Sequence, residues 1–333
     1  MILSPPLSSR VSSNWDSVRL YVQGRLGPTL LSASKDENSK WRNDLAPTDE
    51  EIELGRHRAA SGLESALSFV SQHGSEMAIL RSRALLGAES LETLTQAVGR
   101  GQTETGGFLS LGLSSAGAIG LAQEYTLAGL TEEVAGTLEV LLVLSDLGAL
   151  SAPFVEPAAV FLGRVQNEDG SWGAPETDPP ARLFTTGMIA GLLGRTRVVR
   201  PVVLSEASGF LEQLWSPERI AAPAWPALTA FAVFFSGVDH EEADGALQWI
   251  GRELETGYRK RFYDAVTTVR TLLHCQAVAV PGASLDPFAL LTDLLNEQGE
   301  DGGFAELTSD DERLRVEPTL DAMLGILRLC SVL

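Results

Sequence analysis

Three times along the 333-residue chain one short element returns: Gln102-Thr103-Glu104-Thr105-Gly106-Gly107-Phe108, Gln166-Asn167-Glu168-Asp169-Gly170-Ser171-Trp172-Gly173, and Gln298-Gly299-Glu300-Asp301-Gly302-Gly303-Phe304. The glutamines lie 64 and then 132 residues apart, so one degenerate copy is expected in the longer gap. An internal repeat constrains a fold more than any single motif, because each unit must bury its apolar face against the next. The residue types suggest a common local job. Gly supplies a left-handed turn, Asp and Gln side chains tie down backbone groups at helix ends, and the aromatic ring plugs the gap between units.

The segments flanking these turns read as helices of two kinds. Asp286-Pro287 gives a cap followed by proline in the first turn, and Leu290, Leu291, Leu294 and Leu295 form a one-sided stripe. By contrast, 226–235 is apolar all round and 318–329 nearly so, which a helix tolerates only when surrounded by protein. Outer helices are expected at 155–166, 203–214, 242–254 and 286–297, with inner partners at 183–194, 226–236, 262–276 and 318–330. No alternating run argues for a sheet. The charge-free stretch Ile220–Val238 has the length of a membrane span, but Pro223 and Pro226 interrupt its start, so a buried core helix is expected. Residues 1–54, rich in Ser, Pro and charge, read as an arm or linker, and 55–333 as the helical domain.

The pattern Gln-x-x-Asp-Gly-(Ser/Gly)-(Trp/Phe), between an amphipathic and an apolar helix, resembles the repeat of squalene–hopene cyclases, class II diterpene cyclases and protein prenyltransferase β subunits. The resemblance implies an all-α fold, an α/α barrel or toroid of about five to six hairpins, whose inner helices line an apolar cavity for isoprenoid chains. The motif is structural, so the chemistry has to be argued from other residues.

Class II cyclases of this group start their reaction with an aspartic acid kept neutral in a dry site. Their Asp-x-Asp-Asp-Thr motif has no intact copy here. Asp264 heads an apolar helix behind Phe262 and Tyr263, and Asp321 sits on an otherwise apolar one, which makes these the two candidate acids. Capping of the helix is the ordinary alternative for Asp264, and a polar gap or the barrel rim for Asp321. Arg259-Lys260-Arg261 is the densest basic run, and next to a helix N-terminus it invites an anion such as a diphosphate; pairing with Glu253 or Glu255 is the plain alternative. Phe184, Trp225, Phe231, Phe235, Phe262 and Tyr263 are candidates for aromatic faces that stabilise a carbocation, and packed core rings are the other reading.

Other chemistries find less. Asp310-Asp311 lacks the third carboxylate of a Mg-binding cluster, and Thr48 with Glu51 makes Asp49-Glu50-x-x-Glu53 read as a capping box. His274 and Cys275 are helical neighbours that point apart, so zinc is not expected. No cofactor is expected, and Mg only if the substrate is a diphosphate. The chain carries 25 Lys+Arg against 44 Asp+Glu, a net charge of −19, which disfavours nucleic acid and anionic membranes. With two cysteines, no integral membrane span and no secretory signal, a cytoplasmic protein is expected.

The leading expectation is an acid-initiated cyclisation of a small hydrophobic isoprenoid or polyene. A shape-directed cyclase without proton transfer, and a non-catalytic isoprenoid- or partner-binding subunit, are the alternatives. The oligomeric state is not encoded in any feature of the sequence.

Overall fold

The computed structural model describes residues 47–112, 128–277, 279–305 and 311–333. Within them the chain forms helices and no strands, apart from an isolated bridge between Gln102 and Phe108 inside the first repeat turn. The α-helices are α1 (Asp49–His73), α2 (Glu76–Leu85), α3 (Leu91–Gly99), α4 (Glu132–Asp146), α5 (Val155–Arg164), α6 (Pro179–Gly194), α7 (Pro201–Glu212), α8 (Trp225–Gly237), α9 (Ala243–Arg259), α10 (Ala265–His274), α11 (Pro287–Asn296) and α12 (Val316–Cys330). The boundary expected at 54/55 falls inside α1, which begins at Asp49; most of the expected arm lies outside the described residues. Thr48 and Glu51 close the capping box that starts α1.

Burial separates the helices into the two kinds expected. On α9 only Ala246, Ile250, Gly251, Leu254 and Gly257 are buried, one face of the cylinder, and α1, α5, α7 and α11 behave alike. Along α12 every residue from Val316 to Leu327 is buried, as are Arg182 to Leu193 on α6 and Leu228 to Phe235 on α8. The Ile220–Val238 stretch is broken before Trp225, and no described helix is long and apolar enough to cross a membrane.

Two seams decide how the helices meet. Gly187, Gly191 and Gly194 of α6 face Ala230, Val233 and Gly237 of α8 so closely that an added Cβ would strike backbone. Only small residues allow that approach. At the other end of the chain, α12 and α11 pack against α1, and α12 also contacts α2 and α10.

The repeat turns carry the same bonds each time. Each glutamine amide donates to the carbonyl of its turn glycine and to one on the next outer helix or its cap: Gln102 to Gly106 and Phe154, Gln166 to Gly170 and Val203, Gln298 to Gly302 and Gly62, all at 2.8–2.9 Å. The third copy thereby ties residue 298 to α1, over 236 residues of chain. The turn glycines have φ of +95°, +84° and +90°, and a Cβ on Gly170 would run into the Glu206 carbonyl. Phe108, Trp172 and Phe304 are fully buried, and their backbone N–H groups donate to Thr137, Thr186 and Thr319 on the following inner helix.

Four residues before that threonine stands the partner of the turn carboxylate. Arg182 pairs with Asp169 at 2.8 Å and Arg315 with Asp301 at 2.5 Å, each guanidinium also lying over a ring of the neighbouring outer helix, Phe210 and Phe69. The first copy, with Thr105 in place of Asp, inverts the pair: Glu133 occupies the arginine position and accepts from Thr103 and Thr105. The cation comes instead from α5, where Arg164 bonds the Thr105 carbonyl and lies over Phe161. The copy that looks weakest in sequence therefore keeps the joint, with its carboxylate moved from the turn to α4. In the longer gap two outer-to-inner turns occur, 213–224 and 260–264, and neither repeats the Asp-Gly pair.

Thr319→Val keeps the shape of the side chain but leaves the buried Phe304 N–H without its acceptor. It is expected to cost about 1–3 kcal/mol of unfolding free energy, measurable by denaturant titration; a change near zero would mean that this bond does not hold the turn.

Candidate functional site

The buried faces of the inner helices converge on charge. Arg81 of α2 reaches Asp146 at the end of α4 at 3.2 Å and Asp321 of α12 at 3.6 Å. Arg270 of α10 donates through Nε to the other Asp321 oxygen at 2.7 Å. All four side chains are at most 6% exposed. One turn before Asp321 lies Glu317, and one turn after Arg270 lies His274, both buried. At the α4 end of this cluster Arg195, the cap residue of α6, bonds the Ser145 and Ser236 hydroxyls, and Gln276 donates to Ser145. Four helices and one helix cap thus supply three arginines, three carboxyls and a histidine to one interior region.

Desolvation dominates the protonation of the group. Burial pushes the Glu317 carboxyl up to about 8, the nearby Asp321 adds to the rise, and Arg270 and Arg81 oppose it. Burial pushes Asp146 up to about 7 against the pull of Arg81. His274, buried among Arg270, Arg195 and Arg81, is driven down to about 4 by desolvation first and those cations second, with Asp321 opposing. At neutral pH the histidine is neutral and Glu317 mostly carries its proton.

A raised carboxyl pKa means that the folded chain holds protons the unfolded chain has released. The stability this contributes is fully present below the ordinary carboxylate range, near 4.5, and is lost as pH climbs through 7 and 8. Melting temperature is therefore expected to fall between pH 6.5 and 8.5, with a shallower fall in Glu317→Gln; equal slopes in the two proteins would show that Glu317 is ionised throughout.

Of the two acids singled out in the sequence, Asp321 is inside this cluster and Asp264 is not. Asp264 is exposed and caps α10, its carboxylate accepting from the Thr267 N–H at 2.7 Å. A dry, neutral acid is not what that geometry provides. The basic run is also elsewhere: Arg259 pairs with Glu255 at 2.6 Å and Arg261 with Asp293 at 3.0 Å, each 66% exposed, and Lys260 is an exposed helix cap. The charge of the two arginines is met by neighbouring carboxylates, as in the plainer reading of the run. Phe262 is 55% exposed. Tyr263 is buried against Gly257.

The inner-helix aromatics divide. Phe231 and Phe235 pack edge-on against Trp215, which follows α7. Trp225 lies 6.0 Å from Phe184 and donates to Thr271, beside Arg270 on α10. Only this last pair is carried toward the charged helix.

Arg81, Asp146, Arg270 and Glu317 were not singled out from sequence, and His274 only in the test for zinc. Arg270 and His274 had a legible signal, two ionisable residues a turn apart within Ala265-Val-Thr-Thr-Val-Arg-Thr-Leu-Leu-His274. Arg81 had none, because the sequence of α2 is polar enough to read as a surface helix. Outside the cluster, an open cleft of about 420 Å³ between α1 and α11 is lined by His57, Arg58, Ser61, Gly62, Ser65, Leu295 and Gln298. It includes none of the expected site residues. Among the described residues no group of His, Cys, Asp and Glu is arranged to hold a metal.

No family model matches the chain, and no curated protein matches it. A solved structure of a protein from Actinoplanes is similar over 82% of this chain and 99% of its own, with 14% sequence identity and a TM-score of 0.49. A likeness of that size carries no argument about fold or activity.

Proposed function

We propose that the helical hairpins close into an α/α toroid, and that the chain is a terpene cyclase-like enzyme in which Glu317 protonates an isoprenoid or related polyene. The pairing of α12 and α11 with α1, and the Gln298–Gly62 bond, support the closed ring. One observation carries the chemistry: a carboxyl group buried on α12, where desolvation favours its protonated form, with Asp321 clamped by Arg270 and Arg81 a turn away. The isoprenoid substrate follows from the resemblance of the repeat alone.

In this mechanism Glu317 gives its proton to a terminal alkene carbon, and the adjacent carbon becomes cationic. The next alkene attacks it to close a ring, and loss of a proton from the final cation makes the reaction a net isomerisation. The carboxylate left on Glu317 is stabilised by Arg270 and Arg81, the two cations that already oppose its raised pKa. Asp321 positions Arg270 through the 2.7 Å bond.

Incubation with a panel of prenyl diphosphates and neutral polyenes, followed by mass spectrometry and chromatography, tests the reading. An isomeric product from any of them is expected, and no product from all of them counts against it. Asp264→Asn is expected to leave turnover within about twofold of wild type, since Asn also caps helices well; a loss of activity would return the acid role to Asp264.

A second reading, a non-catalytic binding subunit, is favoured by the same ion pairs. Arg81, Asp146, Asp321 and Arg270 satisfy one another, as a structural network does. Saturable binding of a polyene without turnover would select it.

A further inference from the structure

The cluster has more donors than the protein uses. Both ring nitrogens of His274 and the Nη2 of Arg270 are buried without a hydrogen-bond partner among the described residues. The two side chains are each 5% exposed and sit one turn apart on the same face of α10. A buried donor left unsatisfied costs about 1–3 kcal/mol, so two adjacent ones call for an acceptor that the described residues do not supply. Asp321 is already engaged by Arg270 Nε and by Arg81.

The charged groups facing this point are Arg81 on α2, Asp146 on α4, Arg195 at the end of α6, and Glu317 and Asp321 on α12, with Asp264 at the start of α10 also acting on Arg270. With Arg270 that is three guanidiniums, against Asp321, Asp146 and a Glu317 whose proton burial favours. In a chain of net charge −19, this interior region carries more guanidiniums than ionised carboxylates.

We propose that Arg270 and His274 form an interior binding site for a phosphate or carboxylate oxyanion. Arg270 Nη2 donates to one oxygen of the ion and His274 to another, while Arg270 Nε stays on Asp321. This moves anion recognition from the exposed Arg259-Lys260-Arg261 run to the core. Binding of an ion involves no turnover, so the inference stands or falls separately from the cyclisation reading. An anion beside His274 raises the cost of leaving the ring neutral, so the histidine takes up a proton as the ion binds, and affinity rises as pH falls.

Calorimetric titration of the full chain at pH 6 and pH 8 with inorganic phosphate, inorganic diphosphate and hexyl phosphate tests this. Saturable one-to-one binding is expected, tighter at pH 6, with proton uptake revealed by repeating the titration in buffers of different ionisation enthalpy. His274→Gln, checked for an unchanged circular dichroism spectrum, is expected to abolish the proton uptake and weaken binding at least about tenfold, the effect of one charge-assisted hydrogen bond. Preference for hexyl phosphate over inorganic phosphate would identify the anion as the head group of an apolar ligand, and equal affinity a free ion. No saturable binding at pH 6, or binding and proton uptake unaltered in His274→Gln, overturns the proposal.

Discussion

Asp321→Ala is expected to lower the unfolding free energy by about 3–5 kcal/mol, the effect of removing one partner from a buried ion pair. Asp321 is 4% exposed and receives Arg270 at 2.7 Å and Arg81 at 3.6 Å, so its loss takes from both guanidiniums a carboxylate that they share. The cost comes from the stranded charges more than from the lost bond. A control follows from that: Asp321→Ala combined with Arg270→Met should recover a large part of the loss, because the second change removes the charge that the first strands. Chemical denaturation of the single and double variants measures both. Additive losses would mean that Arg270 finds another partner or reaches water.

Glu317→Gln is expected to abolish turnover, by at least about a hundredfold, the lower end of what a positioned proton donor contributes. Glutamine fills the same volume and keeps a hydrogen-bonding group, but it has no acidic proton to give. Stability should change in the opposite sense to Asp321→Ala: an uncharged side chain replaces a carboxyl that must keep its proton to be buried, so the variant should match wild type only near pH 4 and be more stable at neutral and alkaline pH. A variant that is folded, more alkali-resistant and inactive separates a catalytic role from a structural one. A variant that is folded and fully active removes Glu317 from the mechanism.

Much of the architecture was legible because it is written in local chemistry. Asp286-Pro287 announces α11 by a side chain that accepts from the Phe288 and Ala289 N–H groups, and Thr48 and Glu51 announce α1 by a reciprocal cap. The apolar run in α8 could only be interior, and it is. The repeat turns were recognisable because each of their residues has one local task, a left-handed φ, a capped carbonyl or a buried ring, which few side chains can perform.

The candidate site was legible only in part, because it depends on which helices meet. Asp321 stands out in sequence as a lone acid on a greasy helix, but its partners lie on α2 and α10, more than 50 residues away in the nearer case. Glu317 gives no signal in sequence, because acids are ordinary at the start of a helix; the structure buries it. Asp264 and the Arg259–Arg261 run attracted attention through their positions at a helix start, and there the local explanations, a cap and surface ion pairs, account for them. The exchange of Asp and Arg for Thr105 and Glu133 in the first repeat was hidden for the same reason: either change alone reads as decay, and only the contact shows them to be complementary.

The account rests on Glu317 holding its proton inside the protein at neutral pH. Infrared difference spectroscopy across a pH titration, with Glu317→Gln as the reference, reads that proton through the carbonyl stretch of a protonated carboxylic acid. A band that is present at pH 7, disappears with a midpoint near 8 and is missing from the variant is the result predicted. A Glu317 carboxyl that titrates near the ordinary value of 4.5, with no protonated band at pH 7, would contradict it.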